Sequence, residues 1–476
     1  MNKTSDFFHF SFNLWLIAGK IYAILNTVGS KSCFVRFIHE IKGVDLGLFA
    51  KIKYKSGRAL QRWSEFSRDE KIITVCVIAL FLPYYLVAVP GIFAVLRALL
   101  LPSVRRSMTS VSSSGYIYAS LPIFVFPALA FRNWFGLFGG IVLWLMLVFM
   151  LYLFSVVRRR FYNNIIDLML ILSITSMLTA LASKFIYNYF GVSLYHFVFG
   201  AHGGLLPSTH KGSNAILGFL FDPCRTASVF WNPNYYGYML EIFVILALYR
   251  FEKRHSPWYL IILFANLGSI LLCDCRTAWV ALGAALLYYA VHYKHNVKWV
   301  VVTMLITVVV VIVILLVPVF SGRLASNIIN YDVDKRSKIW GDAIYWIRHR
   351  PVYGYGMNGY REICLRTGAP RVRWHSHNII LNVLLDFGAV GLAYFSAMCG
   401  RIIKVLNKPQ FCVAYSQIRS LIMLTGLATL IHGVTDVPIL GVQSALALII
   451  VVSGCSVERN ERISRQLFNF CEIYEK

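Results

Sequence analysis

The chain has 476 residues, of which 58% are apolar and only 14% are charged, and its formal net charge is +25. A soluble domain of this size carries roughly a quarter charged residues, so the composition excludes an ordinary soluble protein. The positive charge would indicate nucleic acid in a soluble protein, but membrane proteins gather Lys and Arg in cytoplasmic loops, where anionic lipids attract them. No nucleic-acid motif accompanies the charge. We therefore predict membrane lipids, and no nucleic acid, as partners.

Residues 1–71 are basic and mixed in composition, and an aromatic stretch at 7–25 is interrupted by Lys20. Such a stretch is typical of a helix that lies in the membrane interface rather than one that crosses the bilayer. We predict a basic cytoplasmic or interfacial arm for 1–71.

Long apolar runs follow this arm, and a helix needs about 20 apolar residues to cross the hydrocarbon core. The runs predict an all-α polytopic transmembrane bundle of about twelve spans, with nine helices in 72–318, three in 378–454 and a tail at 455–476. The predicted spans lie near 72–90, 91–102, 115–131, 135–157, 165–185, 234–250, 257–273, 277–293, 297–318, 378–400, 419–436 and 438–454.

Basic residues predict the orientation of these helices, because short cytoplasmic loops carry an excess of Lys and Arg. Placing the run at 158–160 inside also puts every other short basic loop inside and leaves both termini cytoplasmic. Two long loops, 186–233 and 319–377, then lie outside. The second lies between spans nine and ten and carries ten Lys or Arg against four Asp or Glu. We interpret it as the substrate-binding loop, although an ordinary solvated loop is the alternative.

Three polar features share the predicted external side. They are the segments 274–279, 336–340 and 374–378, which contain Arg276, Arg336 and His377. A guanidinium binds phosphate oxygens through two parallel hydrogen bonds, and an imidazole accepts a proton near neutral pH. One such Arg could simply contact lipid headgroups. Two Arg and one His together indicate a substrate with a phosphate leaving group and a hydroxyl acceptor.

Other residues receive weaker interpretations. For His375 a supporting role is favoured over a catalytic one, and Arg225 is a candidate for a further phosphate contact. Asp386 and Glu241 lie within predicted spans, where a carboxylate faces the bundle interior and hydrogen-bonds a neighbour. The ten cysteines form no metal-ligand spacing, so we predict no metal site.

These residues also belong to a pattern that resembles the O-antigen ligase and O-antigen polymerase superfamily. The resemblance covers roughly residues 200–400 and rests on the order of several short motifs. They are Trp231-Asn232-Pro233-Asn234, Arg276-Thr277-Ala278, Arg336 with Trp340, Pro351-Val352-Tyr353-Gly354-Tyr355-Gly356, and His377-Asn378 followed by Leu381, Leu385-Asp386-Phe387-Gly388 and Gly391-Leu392.

The resemblance implies an activity on the external face of the inner membrane. Such enzymes move a glycan from an undecaprenyl-diphosphate carrier to a hydroxyl of an acceptor glycan, lipid or protein, with no cofactor and no metal. It implies that Arg276 and Arg336 hold the diphosphate and that His377 activates the hydroxyl. Asn378 would orient the end of the loop.

A transporter or flippase of lipid-linked oligosaccharide is the alternative class, because such proteins also have about twelve spans. They are typically built from two related halves with a site at the membrane midplane. Here the long loop divides the predicted spans into nine and three, and we find no internal repeat. Both observations favour an enzyme. A third class, a structural scaffold, would leave the two Arg and the His without a role.

Overall fold

The computed structural model describes residues 63–82, 84–190, 226–230, 232–273, 275–294, 333–369 and 372–474. The predicted arm up to residue 62, predicted span nine at 297–318, and Arg225 lie outside the described residues. The chain divides into two units, Met1–Ser67 and Arg68–Lys476, and the description below concerns the second.

The second unit is built from helices, and the part that the structure describes contains no strand. In chain order the helices up to residue 190 are α1 (Arg68–Ala79), α2 (Tyr84–Leu100), α3 (Pro102–Thr109), α4 (Ser114–Tyr118), α5 (Leu121–Phe131), α6 (Trp134–Val156) and α7 (Arg159–Phe190). The later helices are α8 (Pro233–Arg254), α9 (Pro257–Cys273), α10 (Arg276–Tyr289), α11 (Val333–His349), α12 (Gly359–Arg366), α13 (Ile379–Leu406), α14 (Pro409–Ala414), α15 (Ser416–Gly433), α16 (Val442–Val452) and α17 (Val457–Tyr474).

Five helical segments in the described ranges have the length and composition to cross a membrane. They are Ser114–Phe131, Trp134–Val156, Arg159–Phe185, Ile379–Leu406 and Val442–Gln466. Two shorter apolar helices are Val89–Leu100 and Pro257–Cys273. The structure therefore has the all-α membrane fold expected from the sequence, while the count of twelve spans and the sidedness of the loops stay predictions.

Helix α8 lies at the centre of the bundle. It packs against α7, α9, α10, α15 and α16, and every residue in 236–247 is buried. A helix that is apolar on all sides is typical of such a position. Because neighbouring helices surround α8, it can hold polar side chains that would be costly against lipid.

The break between the first two helices differs from the prediction. We expected it near position 90, but α1 ends at Ala79 and Pro90 lies inside α2. The Nε2 of Gln443 donates hydrogen bonds to the carbonyls of Leu80 (2.8 Å) and Leu82 (3.0 Å). This side chain satisfies backbone oxygens that lose their helical partners where the chain turns.

Helices α11 and α12 belong to the predicted external loop and fold back onto α13. Backbone hydrogen bonds join Tyr355 N to Leu385 O (2.9 Å) and Gly356 N to Asp386 O (2.7 Å). Helix α13 is kinked at Gly388, which has φ +63°, and a Cβ there would overlap the carbonyl of Val352. Only glycine allows this close backbone approach without a side-chain clash.

A small apolar core also joins this segment to α13. Its buried members are Ile339, Ala343, Tyr355, Tyr360, Ile363, Cys364 and Leu385. This core holds α11 and α12 against α13, and residues 372–378 lie between α12 and α13 in the chain.

Candidate active site

The candidate site is built around Asp436, which follows α15 and is only 3% exposed. Its Oδ1 lies 3.3 Å from His377 Nδ1 and accepts a hydrogen bond from the backbone N–H of Val437 at 2.8 Å. Its Oδ2 accepts a hydrogen bond from Asn234 Nδ2 at 2.5 Å. One buried carboxylate therefore joins the beginning of α8, the segment that leads into α13 and the end of α15.

Asn378 is the N-cap of α13. Its side-chain oxygen accepts hydrogen bonds from the backbone N–H groups of Ile380 and Leu381, both at 3.0 Å. Asn is a favoured residue for this position because its oxygen satisfies N–H groups that have no partner within the helix. Its Nδ2 donates to the carbonyl of Val434 at 3.1 Å. The start of α13 is thus attached to the segment that contains Asp436.

Arg276 is the first residue of α10, and its side chain is exposed. The next residue, Thr277, forms a hydroxyl–hydroxyl hydrogen bond of 2.7 Å with Thr435. Thr435 directly precedes Asp436, so this bond attaches the start of α10 to the same segment. Arg276 forms no salt bridge with any residue in the described ranges.

His377 has an unusual backbone conformation for a residue that is not glycine, with φ +54°. Such positions cost energy and cluster at functional sites. The turn points Nδ1 towards Asp436, and the side chain remains 36% exposed. An ionised carboxylate accepts hydrogen bonds but cannot donate them, so Nδ1 is the nitrogen that donates to Asp436, and in the neutral ring Nε2 keeps a lone pair.

His375 is partly buried beside His377, with ring centroids 4.2 Å apart. Its Nδ1 accepts a hydrogen bond from the backbone N–H of His377 at 3.3 Å. Burial lowers the pKa of His375 to about 4, so the ring is neutral near pH 7. His375 supports the turn that directs His377.

The environment of Asp436 favours its ionised form. Burial alone raises the pKa of a carboxyl group. At Asp436 this effect is opposed by hydrogen bonds from Asn234 Nδ2, from the backbone N–H of Val437 and from His377 Nδ1.

Arg336 lies in the first part of α11 and is half-buried. Its positive charge is close enough to act on the imidazole of His432, one helical turn before Asp436. It forms no salt bridge within the described part of the chain.

Asp386 is fully buried and does not contact His377 directly. Its Oδ1 accepts a hydrogen bond from the backbone N–H of Gly359 (2.9 Å), and its Oδ2 accepts one from Asn382 Nδ2 (2.8 Å). Asn382 Oδ1 accepts the backbone N–H of Ser376 at 3.2 Å. Asp386 therefore connects α12 to the residues that lead into His377.

Three side chains could together hold a metal ion: the ligand atoms of His375, His377 and Asp436 all lie within 4.8 Å of one another. Two imidazoles and a carboxylate suit Zn²⁺ or Fe²⁺. In the structure the Nδ1 atoms of both histidines already have partners: His377 Nδ1 faces the Asp436 carboxylate, and His375 Nδ1 accepts a hydrogen bond from a backbone N–H. The prediction of no metal therefore stays a prediction.

The sequence analysis missed Asp436 and Thr435. The only local signal was a lone Thr-Asp pair at the end of an apolar run, before Val437 and Pro438. The Asp436 partners are far away in sequence, 59 residues for His377 and 202 residues for Asn234.

The fold and the site together define an all-α integral membrane protein in which a histidine–carboxylate pair lies among the starts of three helices. The O-antigen ligase family model matches residues 258–396, a segment that contains Arg276, Arg336 and His377. This match confirms, over that segment, the resemblance to the O-antigen ligase and polymerase superfamily. It supports a glycosyl-transfer role in surface-polysaccharide assembly. A search of curated proteins gives no match.

Proposed function

We propose that this protein transfers a glycan from an undecaprenyl-diphosphate carrier to an acceptor hydroxyl on the external face of the inner membrane. The observation that carries the proposal is the contact of 3.3 Å between His377 Nδ1 and Asp436 Oδ1. His377 lies in the segment that the O-antigen ligase family model matches. Acceptor activation is the step for which such a pair is suited, because the carboxylate leaves Nε2 of the imidazole free to accept a proton.

The proposed reaction moves one proton and replaces one bond. The acceptor oxygen attacks the anomeric carbon of the carried glycan while Nε2 of His377 takes the hydroxyl proton. The bond from that carbon to the diphosphate oxygen breaks, and undecaprenyl diphosphate leaves with the bonding electrons. Asp436 stabilises the imidazolium that forms, as an adjacent carboxylate does in other histidine-dependent transferases and hydrolases.

Arg276 and Arg336 are the proposed diphosphate ligands. Both lack a salt-bridge partner within the described ranges, so their charge is available to an anion. The starts of α8, α10 and α13 are attached to the segment around Asp436. Helix starts carry partial positive charge and N–H groups without helical partners. These groups suit a leaving group that gains negative charge as the bond breaks.

The reaction can be tested with purified protein in nanodiscs and a lipid-linked glycan donor. His377→Ala is expected to lower kcat by about 10²- to 10⁴-fold, the usual contribution of a general base. His255→Ala is the matched control. His255 also has a positive φ, of +50°, but it caps the C-terminal end of α8, whereas the candidate site lies at the N-terminal end of that helix. Wild-type transfer by His377→Ala would contradict the proposal.

Ligase and polymerase activities differ in the acceptor and can be separated in cells. In a deletion strain, loss of a polymerase would leave single repeat units attached to the surface. Loss of a ligase would leave full-length polymer on its lipid carrier. Normal chain length and normal attachment would refute both forms of the proposal.

A further inference from the structure

A fully buried acid–imidazole pair lies one helical turn from Asp436 and takes no part in the proposed transfer. Glu241 of α8 and His432 of α15 are both 0% exposed, and Glu241 Oε1 lies 2.5 Å from His432 Nδ1. The ring of Tyr238 packs edge-on against His432, with centroids 5.6 Å apart.

Stability alone does not account for this pair. Within the described residues, Glu241 Oε2 and His432 Nε2 have no hydrogen-bond partner although both atoms are buried. Burying a polar group without its full set of partners is unfavourable. Replacing a buried charged or polar pair with well-packed apolar residues is often neutral or stabilising. A role in placing the two helices explains the pair better.

The pair belongs to a set of contacts between the same two helices. Asn234, Tyr238 and Glu241 are spaced by four and three residues, so they share one face of α8. Three side-chain hydrogen bonds join α8 to the end of α15: Asn234 with Asp436 (2.5 Å), Tyr238 with Thr429 (2.7 Å) and Glu241 with His432 (2.5 Å). The backbone N–H of Asp436 also donates to the carbonyl of His432 at 3.1 Å. The orientation of His432 and that of Asp436 are therefore coupled.

We propose that Glu241 and His432 are positioning residues, which fix the rotation of α15 against α8 and so hold Asp436 opposite His377. This inference rests on the proposed function. A side-chain atom lies about 6 Å from the helix axis, so a rotation of about 20° would move it by about 2 Å. Such a movement would disrupt the 3.3 Å contact between Asp436 and His377. Apolar side chains pack closely but do not impose a single direction, whereas a short hydrogen bond does.

The first test replaces the pair by apolar residues. The double variant Glu241→Leu, His432→Leu is expected to melt at the same temperature as the wild type or higher. Its kcat should fall by about 10- to 100-fold, since a displacement of about 1 Å can cost 10²-fold in rate. The KM for the lipid-linked donor should stay unchanged, because neither residue is a proposed diphosphate ligand. A folded double variant with wild-type kcat would overturn the proposal.

The second test separates length from charge and serves if the double variant does not fold. Glu241→Gln keeps the length and the acceptor oxygen but removes the charge, so it should retain most of kcat. Glu241→Asp keeps the charge but shortens the side chain, so it should lose kcat. The reverse order would assign the pair an electrostatic or proton-transfer role and overturn positioning.

A matched control lies at the other end of α8. Arg250 forms two hydrogen bonds of 2.6 Å with Asp167, which attach α8 to α7 rather than to α15. The variant Arg250→Gln, Asp167→Asn should lower the melting temperature and leave kcat unchanged. An equal loss of kcat in this control would show that any loosening of α8 suffices, and would overturn the proposal. Absence of transfer by the wild type would instead refute the proposed function.

Discussion

Replacing Asp436 with Asn tests the site with little change of shape. The Asn oxygen can still accept the N–H of Val437, and the Asn234 amide can reverse to accept a hydrogen bond where it now donates one. The variant therefore keeps the packing and loses mainly the negative charge next to His377. A hydrogen bond that involves a charged group contributes about 1.5–3 kcal/mol. If that contribution is made in the transition state, kcat falls by roughly 10- to 100-fold.

The assay measures initial rates of transfer in nanodiscs as a function of the concentration of lipid-linked donor. The loss should appear in kcat and leave KM unchanged, because Asp436 contacts His377 and not the proposed diphosphate ligands. Asp342→Asn is the matched control: this carboxylate lies on α11, is 59% exposed and pairs with Arg373. An equal loss in both variants, or a change confined to KM, would refute the role of Asp436. A large fall in melting temperature would also refute it, because the argument requires an intact fold.

Four further results are expected. Arg276→Lys and Arg336→Lys should each lower kcat/KM, since an ammonium cannot bind two phosphate oxygens in the planar geometry of a guanidinium; normal activity in both would remove them from the site. His375 has a pKa lowered to about 4 in the folded protein, against 6.5 when unfolded, so its contribution to stability is lost as the pH falls from about 6.5 to 4. Melting curves should show a loss of about 2 kcal/mol between pH 7 and pH 5 that His375→Gln abolishes. Chelation with EDTA should leave transfer unchanged, whereas a loss that Zn²⁺ restores would indicate a metal at the two histidines. Gly388→Ala should lower the melting temperature, because the added Cβ would overlap the Val352 carbonyl; an unchanged melting temperature would contradict the described kink.

The local parts of the site could be predicted from the sequence. From the sequence we expected Asn378 to orient the end of the loop and placed Asn232 in a family motif; in the structure both are N-caps, of α13 and α8. The motifs that carry the family resemblance are also local, and the match at 258–396 confirms that resemblance. The roles predicted for Arg276 and His377 remain predictions.

The contacts between distant parts of the chain could not be predicted in this way. Glu241 and His432 are 191 residues apart, and neither gives a periodic signal that names the other. Asp436 stands alone at the end of an apolar run, so its sequence neighbours do not distinguish it from a residue in an ordinary turn. The break at 80–82 depends on Gln443, more than 360 residues later in the chain. Each of these features arises from tertiary packing, which one sequence does not encode in a local pattern.

The arrangement of charge explains why such a site suits a buried position at the end of a bundle. In the proposed reaction His377 gains a proton as the leaving diphosphate gains one negative charge, so the total charge of site and substrate does not change. The new positive charge forms beside the Asp436 carboxylate, and the new negative charge forms near Arg276, Arg336 and the helix starts. Each charge therefore develops next to groups of opposite sign that are already oriented, and little reorganisation is required. Moving Asp436 away from His377 would leave the imidazolium without its partner, which is why the rotation of α15 matters to the rate.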